Sequence, residues 1–409
     1  MSVAWQEKLG IWQSWLLVAF VFFLPISSAA PNLILLVILT LWLVEADFAR
    51  KWAQMKAHPI FFPMLAFALI YPVSLLWTED MAWGQHMVER HAIYLLFPLL
   101  LTVVRREHIA YYLSAFVLAM TISEVASYLV WFRLVDIVGI DPLDPAGFMG
   151  HWEYNPFLAL AIYWMGHSLL FGQPQSWQKW VFGLFIVTMS INMFITGGRI
   201  GQIAYFVLLL LLFGQFFASK GQMWRGLMTA AAGLVAVFVL AYAISDLFQT
   251  RVDRAIHEVQ THDNTKTGSV NARFIYWQNT LGMVTERPLL GSGIGDFPQD
   301  YNAFVGDDAP IHMSTFGEGG GHSQPHSQYL FELASFGLLG GLVFVWLFAS
   351  LVRIALQRQG EWWRLRQAFI VLALVIMLTD SYLLVQAFSY LFVAMVAMVW
   401  TPNVKQEYQ

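Results

Sequence analysis

The sequence predicts an all-α integral membrane protein with about 12 transmembrane helices and one large external loop. Three observations carry that expectation. Of 409 residues, 58% are hydrophobic and only 12% are charged, whereas soluble domains carry about 25% charged residues. Too little polar surface would remain to cover a water-soluble fold of this size. Long apolar runs recur from end to end with short polar breaks, and the mean hydropathy is +0.59. The net charge of −4 argues against nucleic acid as a partner. The absence of cysteine excludes disulfides, thiolate metal sites and a cysteine nucleophile.

The apolar runs fall at about 12–28, 32–46, 59–77, 91–104, 108–133, 155–171, 180–195, 200–217, 226–246, 328–352, 366–385 and 387–400. Several are shorter than the ~20 residues that cross a bilayer. The first pair, around Pro25 and Pro31, reads as a short proline-bent hairpin packed against other helices. The first run follows Lys8 and ends at Ser27-Ser28-Ala29-Ala30, a faint cleavage-site pattern. Pro31 opposes cleavage there and a second apolar run follows at once, so an uncleaved signal anchor is expected. The regions are then 1–246 with nine spans, 247–327 as the external loop, and 328–409 with three spans and a cytoplasmic end.

Orientation follows from the basic residues. With the N-terminus inside, the short cytoplasmic segments hold Lys8, Arg50, Lys51, Lys56, Arg105, Arg106, Lys179, Lys220, Arg225, Arg353, Arg358, Arg364, Arg366 and Lys405. These are about 14 of the 22 basic residues, as positive-inside placement requires. Both termini are then cytoplasmic. The remainder lie outside against that bias: Arg90, Arg133, Arg199, Arg251, Arg254, Lys266, Arg273 and Arg287. All but one are arginines, whose guanidinium forks bind phosphate oxygens in pairs better than an ammonium does.

The 247–327 segment is far longer than an ordinary connection, and such segments are usually functional or disordered. Phe274, Trp277, Leu281 and Val284 recur at helical spacing and predict an amphipathic helix lying on the membrane. Gly291, Gly293 and Gly295 follow Pro288 as a tight turn, and Gly319-Gly320-Gly321 supplies a hinge before the tenth span.

Four constellations could carry chemistry. His326-Ser327-Gln328 stands at the outer mouth of the tenth span, with Gly337 on the same helix face allowing a close helix contact. A histidine there is placed either to take a proton near neutral pH or merely to cap a helix. His322 and His326 are four apart, but Pro325 interrupts a shared helix and no third ligand stands at a telling spacing, although Asp307, Asp308 and Glu318 are near. No metal site is expected. Thr196-Gly197-Gly198-Arg199-Ile200-Gly201 forms an outer turn where glycines and a helix start suit a bound phosphate, or where Arg199 snorkels to headgroups. Asn271-Ala272-Arg273 opens the amphipathic stretch, with Arg287 about four turns on; either arginine could be a headgroup anchor, and Arg251 and Arg254 read more readily that way. Finally, Asp380 within the eleventh span, and Glu89 with Arg90 at the end of the fourth, are ionisable groups that serve function or fix helix packing.

Taken together, the many spans, the Thr196–Arg199 turn and the late loop holding Arg273 and Pro288-Leu289-Leu290-Gly291-Ser292-Gly293-Ile294-Gly295-Asp296-Phe297, followed by His326-Ser327 and Gly337, resemble the O-antigen ligase superfamily. That superfamily contains O-antigen ligases, O-antigen polymerases and protein O-oligosaccharyltransferases. The architecture matches over nearly the whole chain, the sharp motifs only over about 196–201 and 271–337. The resemblance implies a GT-C-like membrane glycosyltransferase in the bacterial inner membrane with its active site facing the periplasm. Its donor would be a glycan on undecaprenyl pyrophosphate and its acceptor a sugar hydroxyl of lipid A–core oligosaccharide, among membrane lipids and with no cofactor. Arg199 and Arg273 match the family's arginines by position, with Arg90 and Arg287 as further pyrophosphate-binding candidates. His326 matches its histidine, and Asp380, His322 and Gly337 are supporting candidates.

Cleaving a sugar–phosphate bond leaves a pyrophosphate whose growing charge arginines could stabilise in place of a metal. A base at His326 would raise the acceptor hydroxyl's reactivity by ~10²–10⁴-fold, with inversion at the anomeric carbon. Within the resemblance a ligase fits the length best, and a polymerase sharing the donor is the alternative. A secondary transporter is a reading of another class. It calls for a midplane site and internal repeats, and no convincing repeat is present.

Overall fold

The computed structural model describes residues 3–261, 269–315 and 323–400. It is all-helical, with no strand among the described residues. In chain order the α-helices are α1 (Val3–Phe23), α2 (Ala30–Glu45), α3 (Phe48–Ala57), α4 (Phe61–Ser74), α5 (Met81–His91), α6 (Phe97–Val103), α7 (Ile109–Trp131), α8 (His151–Phe171) and α9 (Ser176–Ile195). They continue as α10 (Arg199–Ser219), α11 (Met223–Ile244), α12 (Asp246–Thr261), α13 (Ser269–Glu286), α14 (Phe297–Val305), α15 (Gln328–Leu356), α16 (Trp363–Ile376) and α17 (Gln386–Val399).

Among the described residues, five helices are long and apolar enough to cross a membrane: Arg106–Trp131, Ser176–Ile195, Arg199–Ser219, Met223–Ile244 and Gln328–Leu356. There are six if Ala30–Glu45 with Phe48–Ala57 is one interrupted span. The chain is therefore a multi-pass membrane protein. Breaks in the backbone explain why two of the other apolar runs do not count as full spans. The 91–104 run is divided between a 3-10 turn, Ala92–Leu96, and the short α6. The 366–385 run stops as a helix at Ile376, and Asp380 lies in the non-helical turn beyond it rather than inside a span.

The chain divides into two compact units. One comprises the described residues of Met1–Ala46, Val103–Asp253 and Arg358–Ile376. Here α8 packs along α10, flanked by α7, α9 and α16, with α11 against α10 and α1 against α2 and α7. Nearly every residue from Tyr154 to Met165 is buried, so α8 is apolar all round, as a helix surrounded by others must be. One buried polar chain links three of these helices: Tyr154 donates to Asn192 at 2.9 Å and Asn192 to Ser127 at 2.9 Å.

The second unit comprises the described residues of Asp47–Thr102, Arg254–Gln357 and Met377–Gln409. Its centre is α15, packed on α4 and α13, with α14 on α13. The 247–327 segment is thus largely folded, and α13 buries one face, through Tyr276, Trp277 and Met283, against Phe297, Tyr301 and Ala334. Phe274 and Leu281 stay exposed on another face, so the expected apolar stripe is shared between an inner and an outer side.

Candidate active site

His326 is buried at the start of α15, one residue before the N-cap Ser327. Its φ of 51° lies in the left-handed region, uncommon for a non-glycine residue and concentrated at functional sites. Neighbouring hydrogen bonds hold that conformation. The backbone N–H of Gln328 donates to Met377 O at 3.0 Å, and Trp277 Nε1 donates to His326 O at 3.3 Å. The imidazole lies 5.8 Å from the Tyr276 ring, centre to centre.

Asp380 faces His326, with Oδ1 3.5 Å from Nδ1, an ion-pair separation at the long limit of a hydrogen bond. Gln324 Nε2 donates to the same Oδ1 at 2.8 Å, and the Ser381 N–H does so at 2.8 Å. Burial raises the Asp380 pKa, but the hydrogen bond and charge of His326, the Ser381 N–H and the Arg273 charge together hold it below its ordinary value of 3.8. Asp380 is therefore a carboxylate at neutral pH. Arg273 Nε donates to Thr379 O at 3.1 Å, the residue before it. Positions 273, 276 and 277 are one turn apart, so α13 delivers a guanidinium to the Asp380 turn and two aromatic rings to His326 from one face.

Below this group lies a buried polar network. Gln328 accepts from the Leu383 N–H at 2.9 Å and donates to Glu332 Oε1 at 2.7 Å. Tyr71 donates to the same Glu332 oxygen at 3.2 Å. These bonds fasten the first turn of α15 to the segment that carries Asp380. Gly337 interrupts α15 with φ +60°, and a Cβ there would collide with the Leu289 carbonyl carbon. The interruption frees backbone groups: Ser292 N–H reaches Ala334 O at 2.8 Å, Gly293 N–H reaches Ser335 O at 2.9 Å, and Leu338 N–H reaches Pro288 O at 2.8 Å. Asp296 accepts the N–H groups of Glu79 and Asp80 at 2.8 and 2.6 Å. The Pro288–Phe297 motif is thus a backbone clamp that places α15, and its glycines are structural.

Arg287 is exposed and pairs with Asp300 at 2.8 Å. Arg90 is exposed in the last turn of α5 and makes no ion pair among the described residues. His322 lies outside the described residues. Among the described residues no three His, Asp or Glu side chains group as metal ligands would.

Arg199 belongs to the other unit, at the first position of α10. Gly198 before it has φ +89°, and a Cβ there would strike the His151 carbonyl. The turn is anchored by Asp144 and His151, which no sequence pattern marked, and by Arg251. Asp144 Oδ1 accepts the Gly197 N–H at 2.6 Å, its Oδ2 lies 2.7 Å from His151 Nδ1 and 3.6 Å from an Arg251 nitrogen. Burial raises the Asp144 pKa; the His151 hydrogen bond, the Gly197 N–H and the charges of His151 and Arg251 outweigh it, and the pKa is lowered. Arg251 is therefore a partner of Asp144 and not a free headgroup anchor.

This multi-pass membrane protein thus carries a histidine–carboxylate–arginine group beside a helix mouth, a class of site suited to proton removal from a substrate hydroxyl. Residues 184–345 match the family model described as O-antigen ligase (Wzy_C), the family that the motifs resemble. The matched segment contains Arg199, Arg273, Arg287, His326 and Gly337; Arg90 and Asp380 fall outside it. No curated protein matches the chain.

Proposed function

We propose that the protein is a glycosyltransferase that moves O-antigen glycan from undecaprenyl pyrophosphate to a sugar hydroxyl of lipid A–core, at the periplasmic face of the bacterial inner membrane. The observation that carries this reading is the placement of Asp380 beside His326 Nδ1 with Arg273 on the same turn. The carboxylate favours the tautomer with the proton on Nδ1 and leaves Nε2 as the base. His326 Nε2 takes the acceptor proton as the oxygen attacks the anomeric carbon. The bond from that carbon to the phosphate oxygen breaks, and undecaprenyl pyrophosphate departs with the bonding electrons. One displacement inverts the anomeric configuration. Arg273 stabilises the charge growing on the leaving group. For Arg199 the same role rests on the resemblance and on the helix N-terminus at which it stands. No step calls for a metal ion.

A polymerase would use the same donor with a second lipid-linked repeat as acceptor. The test supplies purified protein with undecaprenyl-pyrophosphate glycan and either lipid A–core or a second undecaprenyl-linked repeat, without added metal. Glycan on lipid A–core supports the ligase; lengthened undecaprenyl-linked chains alone support the polymerase. No transfer to either acceptor sinks both.

A further inference from the structure

A cavity of about 270 Å³ in the first unit is lined by Asp141, Asp144, Met149, His151 and Trp152 together with the backbone of Gly139 and Gly150. From these walls we infer that the cavity is a saccharide-binding subsite taking one sugar ring. Its volume lies just under the ~300–1,000 Å³ of sites for drug-sized ligands, which suits a single ring. Trp152 and Met149 give apolar surface for the C–H face of a pyranose. Half of the Trp152 surface is exposed (49%), so its ring face is open to a ligand in the cavity.

The polar groups suit hydroxyls and not an anion. Asp141 Oδ1 accepts the Leu143 N–H at 2.9 Å, which leaves Oδ2 as an acceptor for a sugar hydroxyl. His151 is engaged through Nδ1 with Asp144, so Nε2 is the ring nitrogen left for a ligand. Asp144 is itself satisfied by Gly197, His151 and Arg251 and serves to fix the His151 ring. Two carboxylates in the walls disfavour phosphate. The subsite shares the Asp144 anchor with the Gly197–Arg199 turn. The inference rests on the proposed transferase reading only for the origin of the sugar, which is the donor glycan or the acceptor core.

Binding is measured on the purified full-length protein by saturation-transfer NMR, with no transfer required. One probe is the oligosaccharide repeat released from the donor glycan, the other a delipidated core oligosaccharide. One of them is expected to bind the wild type, to lose at least fivefold in affinity in both Trp152→Ala and Asp141→Asn, and to be largely retained in Trp152→Phe. Loss of the repeat assigns the subsite to the donor, and loss of the core assigns it to the acceptor. Unfolding of a variant is read by its melting curve, and Asp141→Asn, at an exposed carboxylate, keeps the test open if Trp152→Ala fails to fold. Binding by neither probe, or equal binding by wild type and folded variants, overturns the inference. Saccharide binding by a protein that transfers no glycan would leave the subsite standing while the transferase reading falls. Normal transfer with unchanged KM for both substrates in the variants would do the reverse.

Discussion

His326 differs from a helix-capping histidine in its left-handed backbone, its aromatic enclosure by Tyr276 and its carboxylate partner Asp380. A cap would need only the first turn of α15. Removing the carboxylate charge therefore has two expected effects. Asp380→Asn leaves the tautomer of His326 unbiased, and turnover should drop at least ~10-fold, because a carboxylate beside a base histidine holds the ring in the reactive tautomer and stabilises the imidazolium that forms. Its stability effect has a definite sign. The Asp380 pKa is lower in the folded state than its ordinary value of 3.8, so the unfolded chain binds more protons as pH falls, and stability rises with pH through that window. The contribution is complete above pH 3.8 and is lost as pH falls through the lowered folded value. The melting-temperature gap between wild type and Asp380→Asn should be widest at neutral pH and close under acid conditions. A gap that does not change with pH would contradict the pairing.

At the scale of elements, the interrupted helix α15 carries the arrangement. Gly337→Ala would hold a non-glycine residue at φ 60°, ψ −152°, a region essentially reserved for glycine and strained by about 1–3 kcal/mol for other residues, and its methyl would press on the Leu289 backbone. A lower melting temperature and weakened transfer are both expected; an unchanged melting curve would show that the clamp tolerates a side chain. Glu332→Leu removes the acceptor for Gln328 and Tyr71, and each orphaned buried donor costs about 1–3 kcal/mol. Differential scanning in detergent should show destabilisation well beyond that of a change at a lipid-facing residue such as Leu342. Part of this was legible in advance. The helical spacing in 271–284 anticipated α13. Gly337 was expected to allow a close contact between helices on a continuous face; it instead breaks α15, and the backbone that approaches it is the Leu289–Leu290 turn. The inward face of α13 was misread, because Tyr276 and Met283 were outside the stripe that was counted.

For the whole molecule, composition and apolar periodicity were enough to establish a multi-pass helical membrane protein. The number of full spans was not legible, since hydropathy registers apolar length and is blind to the backbone breaks at Ala92–Leu96 and after Ile376. The candidate site was legible where charge or glycine stood out against an apolar background, as at Arg273, His326 and Asp380. Gln324 and the Thr379 carbonyl were not, because their roles come from contacts between distant positions, Arg273 and Thr379 being 106 residues apart. Asp144 and His151 stood in a short polar connection with no repeating pattern to mark them. The central claim is that His326 removes the acceptor proton. It is tested most directly by assaying purified wild-type and His326→Ala proteins, matched for melting behaviour, for glycan transfer from undecaprenyl pyrophosphate to lipid A–core. The account predicts that turnover in the variant falls by ~10²–10⁴-fold while donor binding is kept; transfer at the wild-type rate would contradict it.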